Sequence, residues 1–423
     1  MEKSNWTLFE KIAFRFSVLY FGLNIIPFPL DQLLDGFFGW YQSAWTILIN
    51  WTGKIFFHTG DIVLTETGAG DTLWGWVQHF DILLIAVIGT LIWSFLDKKR
   101  ENYRKFKQWF DVYLRFYLFV MLCIYGFAKI FPSQFGTLPN FRLYQRMGDM
   151  SPMGLLWAFM AFSTPYQMFT GLVEVLGGYL LIFRKTTLSG SLIGIAAMVQ
   201  VFALNMCFDV PVKLYSLLLM LIGVYLAAPD ARRLLHFFFL NKPVEPRDFS
   251  PSFKKKWLNI ADWSIKGLLT LAMIGGTIYG KMTGFNEDDP EETNPSSKYG
   301  VYEVKRFDNL TRPNTEGDTT RWAEVYLEKS YNSDVFLVAN NLGYRERGRF
   351  KMQDSVKTLR LAVRGEKQDT FYLKYERPES NNWVLNGKWH NDSISVELRK
   401  QPKRSFLLKS RGFHWINETA FNK

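Results

Sequence analysis

Cysteine is almost missing from this 423-residue chain, which has only Cys123 and Cys207. That excludes a disulfide framework and a structural zinc cluster. The two lie on different hydrophobic segments, so a redox dithiol requires the fold to bring them together. Histidine is scarce too, at five residues, and the hydrophobic runs contain no histidine pairs for haem ligation. No phosphate-binding loop, dinucleotide fingerprint, GxSxG elbow or HExxH occurs. The sequence therefore offers no metal or haem motif, and whether the protein is an enzyme is left open.

Apolar residues are abundant, at 48%, which excludes a disordered chain. They are concentrated in the first 280 residues. A membrane span needs about 20 mostly apolar residues. The candidates are Ile12–Ile26, Leu73–Leu96, Phe110–Phe131, Tyr166–Phe183, Leu188–Phe208, Leu214–Ala228 and Trp257–Tyr279. The first and sixth are short, and the seventh carries Asp262 and Lys266. Runs such as LLIAVIGTLIWSFL have no polar face, unlike helices of soluble proteins.

The formal charge of +11 suggests nucleic acid until the charges are located. With the N-terminus cytoplasmic, Lys98, Lys99, Arg100, Arg104, Lys105, Lys107, Arg184, Lys185, Arg232, Arg233, Lys242, Arg247, Lys254, Lys255 and Lys256 fall in inner loops. The outer loops hold Lys54, Arg142, Arg146 and Lys213. This is the positive-inside pattern. Membrane lipids account for the basic runs, and nucleic acid is not called for. An odd number of spans puts the C-terminal part outside, as expected for a multi-pass plasma (inner) membrane protein. Arg15 within the first run, with no small-residue cleavage site after it, argues for a retained span rather than a cleaved signal.

Two outer loops are long. Residues 27–71 contain FFGWYQSAWTILINWTGKIFF, suited to a helix in the interface. Residues 132–165 contain SPMGLLWAFMAF, too short to span, with Ser151 as N-cap and Pro152 in the first turn. Together they would roof the outer side.

Residues 281–297 are acidic and proline-containing and read as a linker. From 298 to 423, period-2 alternation recurs in short runs, from YGVYEVKRF through SISVELRK and SFLLKS, separated by turn signals. Eight to ten strands with hairpin-length links imply an up-and-down meander closing as a small barrel. Its apolar face either fills the interior, the commoner case, or lines a ligand cavity. RGFHWINE, residues 411–418, would be a closing strand, with His414 and Trp415 on opposite faces.

Ionisable groups inside a bilayer are costly and point to function. Glu174 lies midway along its run, with no charged neighbour on the same helix. Lys129, near the outer end of the third run, can reach toward it. Gly126, Gly177 and Gly178 are candidate helix-packing positions. Arg115 is expected to snorkel to the inner interface. Asn205, Asp209 and Lys213 are spaced by four around Pro211, a turn that would bind a polar headgroup or pass protons if covered. His58, Asp61, Asp71, His79 and Asp81 match no metal-ligand spacing, and Asp71 suits the N-cap of the second span.

From Leu114 to Pro229 the chain resembles the DoxX family, a four-helix membrane fold. An arginine early in a helix, a Gly shortly before a Lys, then Glu, a Gly pair and a basic turn carry the likeness. Here they are Arg115, Gly126, Lys129, Glu174, Gly177, Gly178, Arg184 and Lys185. The resemblance implies a redox-associated role with a quinone as the cofactor class, but no catalytic residue.

The expected architecture is thus an α-helical membrane bundle of about seven spans (residues 1–280) with a DoxX-like four-helix core (110–229). A linker (281–297) joins it to an extracytoplasmic all-β domain (298–423). Three functions fit. One is a non-enzymatic protein binding a lipid or quinone-like ligand in the outer half of the bundle. The others are a quinone-linked oxidoreductase subunit with a membrane or periplasmic protein partner, and a transporter or exporter component for an apolar cargo.

Overall fold

A computed structural model describes residues 5–30, 36, 38–64, 69–245, 298–311, 320–330, 333–340, 345–363, 369–379, 381–402 and 405–421, with positions 264, 267, 271 and 275. The run Trp257–Tyr279, apart from those four positions, and the linker 281–297 lie outside the described residues.

The chain divides into two units, one of residues 1–130 and 168–273, the other of 131–167 and 274–423. The loop expected to roof the bundle thus groups with the β domain.

The first unit is helical. It contains α1 (Leu8–Ile25), α2 (Gly39–Phe56), α3 (Leu73–Leu96) and α4 (Arg104–Ile130). The helix expected over the fourth run, Thr164–Ile182, enters this unit from Met168 onward. Thr187–Cys207, Lys213–Ala227 and Ala231–Phe238 follow.

Two of these helices begin at a side-chain cap. Thr7 and Glu10 form a capping box at α1. Thr72 accepts from the Gly75 amide at α3, which carries no charged residue between Asp81 and Asp97. Helix α1 packs on α3, as does α2. The core is aromatic and leucine-rich, centred on Phe14, Ile49, Leu114, Leu118, Leu122, Leu181 and Ile222.

Among the described residues, four helical stretches are long and apolar enough to cross a membrane. They are Leu73–Leu96, Arg104–Ile130, Arg184–Cys207 and Lys213–Phe238. Their flanks expose Leu83, Ile85, Ile88, Leu91, Ile92 and Phe95 on α3 alone. Exposure of that many large apolar side chains along one helix is the signature of a lipid-solvated surface. The first and fourth runs do form helices, but Glu10, Lys11 and Arg15 dilute one, and Thr164–Gln167 with Glu174 dilutes the other.

The second unit is built on a closed barrel. Its strands are β1 (Gly300–Asn309), β2 (Glu324–Ser330), β3 (Ser333–Ala339), β4 (Arg345–Gln353), β5 (Thr358–Val363), β6 (Thr370–Glu379), β7 (Asn382–Trp389) and β8 (Asp392–Lys400). Every neighbour pair is antiparallel, in chain order, and β1 pairs with β8 to close the ring. The alternation places Leu359 and Leu361, Leu373 and Tyr375, Trp383, Leu385 and Trp389, and Ile394, Val396 and Leu398 inside. With Tyr302, Phe307, Trp322, Phe336 and Phe350 they pack into one core. The interior is therefore filled by side chains rather than lining a ligand cavity. At Gly348 the chain runs so close to β5 that a Cβ would strike the Ala362 carbonyl, which is why glycine takes that inward position between Arg347 and Arg349.

Two sequence expectations are corrected. Leu407–Ser410, within SFLLKS, is one helical turn. Residues 411–418 form no strand, and Trp415 is 91% exposed. Both segments alternate in polarity, but β8 already occupies the free edge of β1, so no ladder remains for them.

The same unit holds two helices from the long loop, α5 (Asn140–Tyr144) and α6 (Pro152–Phe162). Ser151 caps α6 by accepting from the Gly154 amide at 3.0 Å, with Pro152 in the first turn. Helix α5 covers outward residues of the barrel. Phe141 and Tyr144 pack on Val301, Tyr326, Leu337 and Ala339. The Phe141 amide donates to Glu328 Oε1 at 3.0 Å.

Candidate functional site

The helix Thr164–Ile182 is labelled α7, Thr187–Cys207 α8 and Lys213–Ala227 α9. On α7, Gly171, Glu174 and Gly178 are spaced i, i+3, i+7 and so share one face. On α4 the matching face carries Cys123, Gly126 and Lys129. The two faces meet at backbone distance. A Cβ on Gly126 would lie 2.7 Å from the Gly171 carbonyl oxygen and 2.6 Å from Val175 Cγ2. A Cβ on Gly178 would lie 3.1 Å from Cys123 Sγ and 3.2 Å from the Phe119 carbonyl oxygen. Gly177 faces the other way, toward Gly194 of α8.

The close approach brings Lys129 and Glu174 together. Lys129 Nζ donates to Glu174 Oε1 at 2.8 Å and to Oε2 at 2.7 Å. Lys129 is 6% exposed and Glu174 2%. An ion pair this buried gives up the solvation of both charges, and their attraction repays that loss only with good geometry. The two-pronged contact supplies it. Tyr125, one turn before Lys129, is near enough to feel the Glu174 carboxylate. Its ring lies 5.9 Å from that of Tyr215 on α9, and the Tyr215 hydroxyl is 3.2 Å from that of Tyr117. A row of phenols thus leads away from the ion pair.

The glycine contact yields a prediction. Gly126→Ala should cost about 1–3 kcal/mol, because its methyl group would press on the α7 backbone. Unfolding of the full chain in mixed detergent micelles measures this.

The remaining candidates are placed differently. Asn205 is buried on α8, donating to Ser216 Oγ at 3.0 Å and to the Val212 carbonyl at 3.3 Å. Asp209 takes a positive φ of 52° at the turn, and its side chain is 84% exposed. Lys213 Nζ sits 3.1 Å from Asp209 and 3.8 Å from Asp71. The three residues therefore do not converge on one site. Asp71 does not cap the second span, where Thr72 serves. Its carboxylate instead accepts from the amides of Lys213 at 2.7 Å and Leu214 at 3.0 Å, capping α9 from far along the chain.

Arg115 does not snorkel. It donates to the Leu181 and Ile182 carbonyls at 2.6–2.9 Å, satisfying the C-terminus of α7. Arg15 is 1% exposed and does similar work at α3, donating to Ser94 Oγ, the Asp97 carbonyl and Tyr103 Oη. The Tyr103 hydrogen bond holds the Asp97 carboxyl below its ordinary range, with Arg100 assisting.

His58 is exposed, Asp61 pairs with Lys54 at 2.7 Å, and His79 lies 3.4 Å from the Tyr20 hydroxyl. Asp81 is 2% exposed, with Thr52 against its carboxyl. Cys123 is buried and Cys207 exposed, both as free thiols.

Sequence reasoning missed Gly171, Tyr125, Tyr215 and the roles of Arg15 and Asp71. The spacing of Gly171, Glu174 and Gly178 was the available signal for the first. The others depend on contacts between segments far apart in sequence.

Apolar helices long enough to cross a bilayer, followed by a closed eight-stranded barrel, define a membrane protein with a β-barrel domain. No family model matches the chain, and no solved structure matches it. It is 30% identical over 139 residues to the uncharacterized protein YwoB of Bacillus subtilis (strain 168), an alignment covering 33% of this chain and 84% of YwoB. The chain belongs to the family of YwoB.

Proposed function

We propose that this protein is a non-enzymatic, multi-pass protein of the plasma (inner) membrane that binds a lipid or quinone-like molecule beside Lys129 and Glu174. In this reading the chain crosses the bilayer about seven times, from a cytoplasmic N-terminus to an extracytoplasmic barrel. The basic inner loops support that orientation. The likeness of residues 114–229 to the DoxX family supports the ligand class.

The observation that carries the reading is the buried Lys129–Glu174 pair. An apolar pair of similar volume would hold α4 and α7 together without the desolvation loss. Charge kept in that position is best explained by a polar group that visits it. The adjacent phenols of Tyr125, Tyr215 and Tyr117 suit a ring-bearing headgroup.

The same row favours one second reading, a quinone-linked oxidoreductase subunit in which Glu174 exchanges protons with the bound quinol. The transporter reading draws no support from the barrel, whose interior is packed.

Native mass spectrometry of the full chain in mild detergent tests the proposal. The expected result is a co-purifying lipid or quinone-like molecule that is lost in Glu174→Gln. A wild-type protein carrying no such molecule would sink it. Quinol turnover by the wild type, abolished in Glu174→Gln, would favour the second reading over the first.

A further inference from the structure

The apolar helical stretch Lys213–Phe238 has 26 residues and, as a helix, rises about 39 Å. A hydrocarbon core is about 30 Å thick, so the stretch overshoots it. The charges mark where. Lys213 opens α9, and the basic pair Arg232 and Arg233 begins about 28 Å further along. With Lys213 at one boundary, the arginines stand at the other. The residues after them then lie at headgroup depth.

The chain changes character at that point. Ala228–Asp230 is a 3-10 turn containing Pro229, which has no amide to continue the α9 ladder. Helix α10 (Ala231–Phe238) follows, and it belongs to the same helical unit as α9. Helical spacing puts Arg232, Arg233 and His236 on one side and Leu234, Leu235, Phe237 and Phe238 on the other. The apolar side is not packed into protein. Phe237 and Phe238 are more than half exposed, and Phe239, just beyond the helix, is 80% exposed. Three consecutive phenylalanines left open in this way call for an apolar medium rather than water.

The basic side is equally available. Arg233 is tied back to the buried Asp230 at 2.7 Å, which fixes α10 to the end of α9. Arg232 and Lys242 are exposed and have no ion-pair partner among the described residues. Asn241, at φ 48°, ends the helix, and the Lys242 amide donates to the His236 carbonyl at 2.9 Å. Lys242 is thereby held within a turn of the helix end. A short helix with arginine on one side and exposed rings on the other, continuous with a span, is suited to the lipid interface. Its surplus positive charge complements anionic headgroups.

We infer that residues 231–242 form a binding site for anionic phospholipids, in which Arg232 and Lys242 meet the phosphates and Phe237, Phe238 and Phe239 enter the acyl boundary. The inference rests on α9 crossing a bilayer, as the proposed function does, and not on a ligand beside Lys129 and Glu174.

Hydrogen exchange on the full chain in nanodiscs tests this. Discs of phosphatidylglycerol with phosphatidylcholine are compared with discs of phosphatidylcholine alone. The expected result is slower exchange of residues 231–242 in the anionic discs. Arg232→Gln with Lys242→Gln should lower the docking equilibrium about 25-fold, at roughly fivefold per charge, and remove that protection. Lys98→Gln with Lys99→Gln, beyond the end of α3, should keep it. Phe237→Ser with Phe238→Ser, which leaves every charge in place, should also remove it. Unchanged exchange of α3 and α4 shows that each variant is folded. Equal exchange of residues 231–242 in the two disc types would overturn the inference, as would protection that survives the Arg232 and Lys242 substitutions or is lost with those at Lys98 and Lys99. So would equal protection by inositol hexakisphosphate in phosphatidylcholine discs, which would mark a site for soluble polyanions. A chain that entered neither disc would overturn the membrane reading as well, whereas each of the other results bears on this site alone.

Discussion

Lys129→Met should destabilise the helical unit by about 3–5 kcal/mol, and adding Glu174→Leu should restore most of the loss. The reason lies in the geometry of the α4–α7 contact. Glu174 is 2% exposed, and Lys129 supplies hydrogen bonds to both of its oxygens. Removing the ammonium leaves a buried carboxyl without either of the hydrogen bonds that Lys129 supplies. Removing both charges takes away the desolvation loss along with the attraction. Titration of the micelle-solubilised protein with a denaturing detergent reads the difference. A double variant no more stable than Lys129→Met would show that the two charges are not coupled.

Trp383→Ala should be comparably severe in the barrel. Trp383 is 1% exposed and packs edge-on to Tyr302 at 5.5 Å and beside Tyr375 at 5.7 Å. The Arg377 guanidinium lies 4.0 Å from its ring centroid. Deleting so large a side chain from a filled interior costs about 3–5 kcal/mol. A chain with two units need not unfold in one step, so a single melting temperature is a poor readout. Native-state hydrogen exchange is better suited. Amides of β6, β7 and β8 should exchange roughly 150- to 5,000-fold faster, while those of α3 and α4 stay unchanged. Little change in the strands would mean that the interior tolerates a void.

Much of the architecture was legible because hydropathy acts locally. The run Leu73–Leu96 coincides with α3, since Thr72 caps one end and charged residues follow the other. The barrel strands were legible from alternation, which must hold wherever one face is buried. Alternation also misled at residues 405–418, because a pattern shows what could pair but not whether an edge is vacant. Asp71 and Thr72 are adjacent and both are capping residues, so only the fold decides which helix each one serves. Arg115 reads as a snorkelling side chain until the end of α7 is seen beside it. Lys129 and Glu174 are 45 residues apart in sequence, and the glycines that let them meet carry meaning only as two matched faces. The segment 131–167 is apolar enough to suit either a membrane interface or a protein surface. Phe141 and Tyr144 show that its helix α5 covers part of the barrel.

The account rests on hydrocarbon surrounding the helical unit, since only there does a buried ion pair call for a functional explanation. An alkaline carbonate wash of membranes containing the full chain tests that most directly. The protein should remain in the sedimented membranes and partition into the detergent phase after extraction. Release into the aqueous supernatant would contradict it.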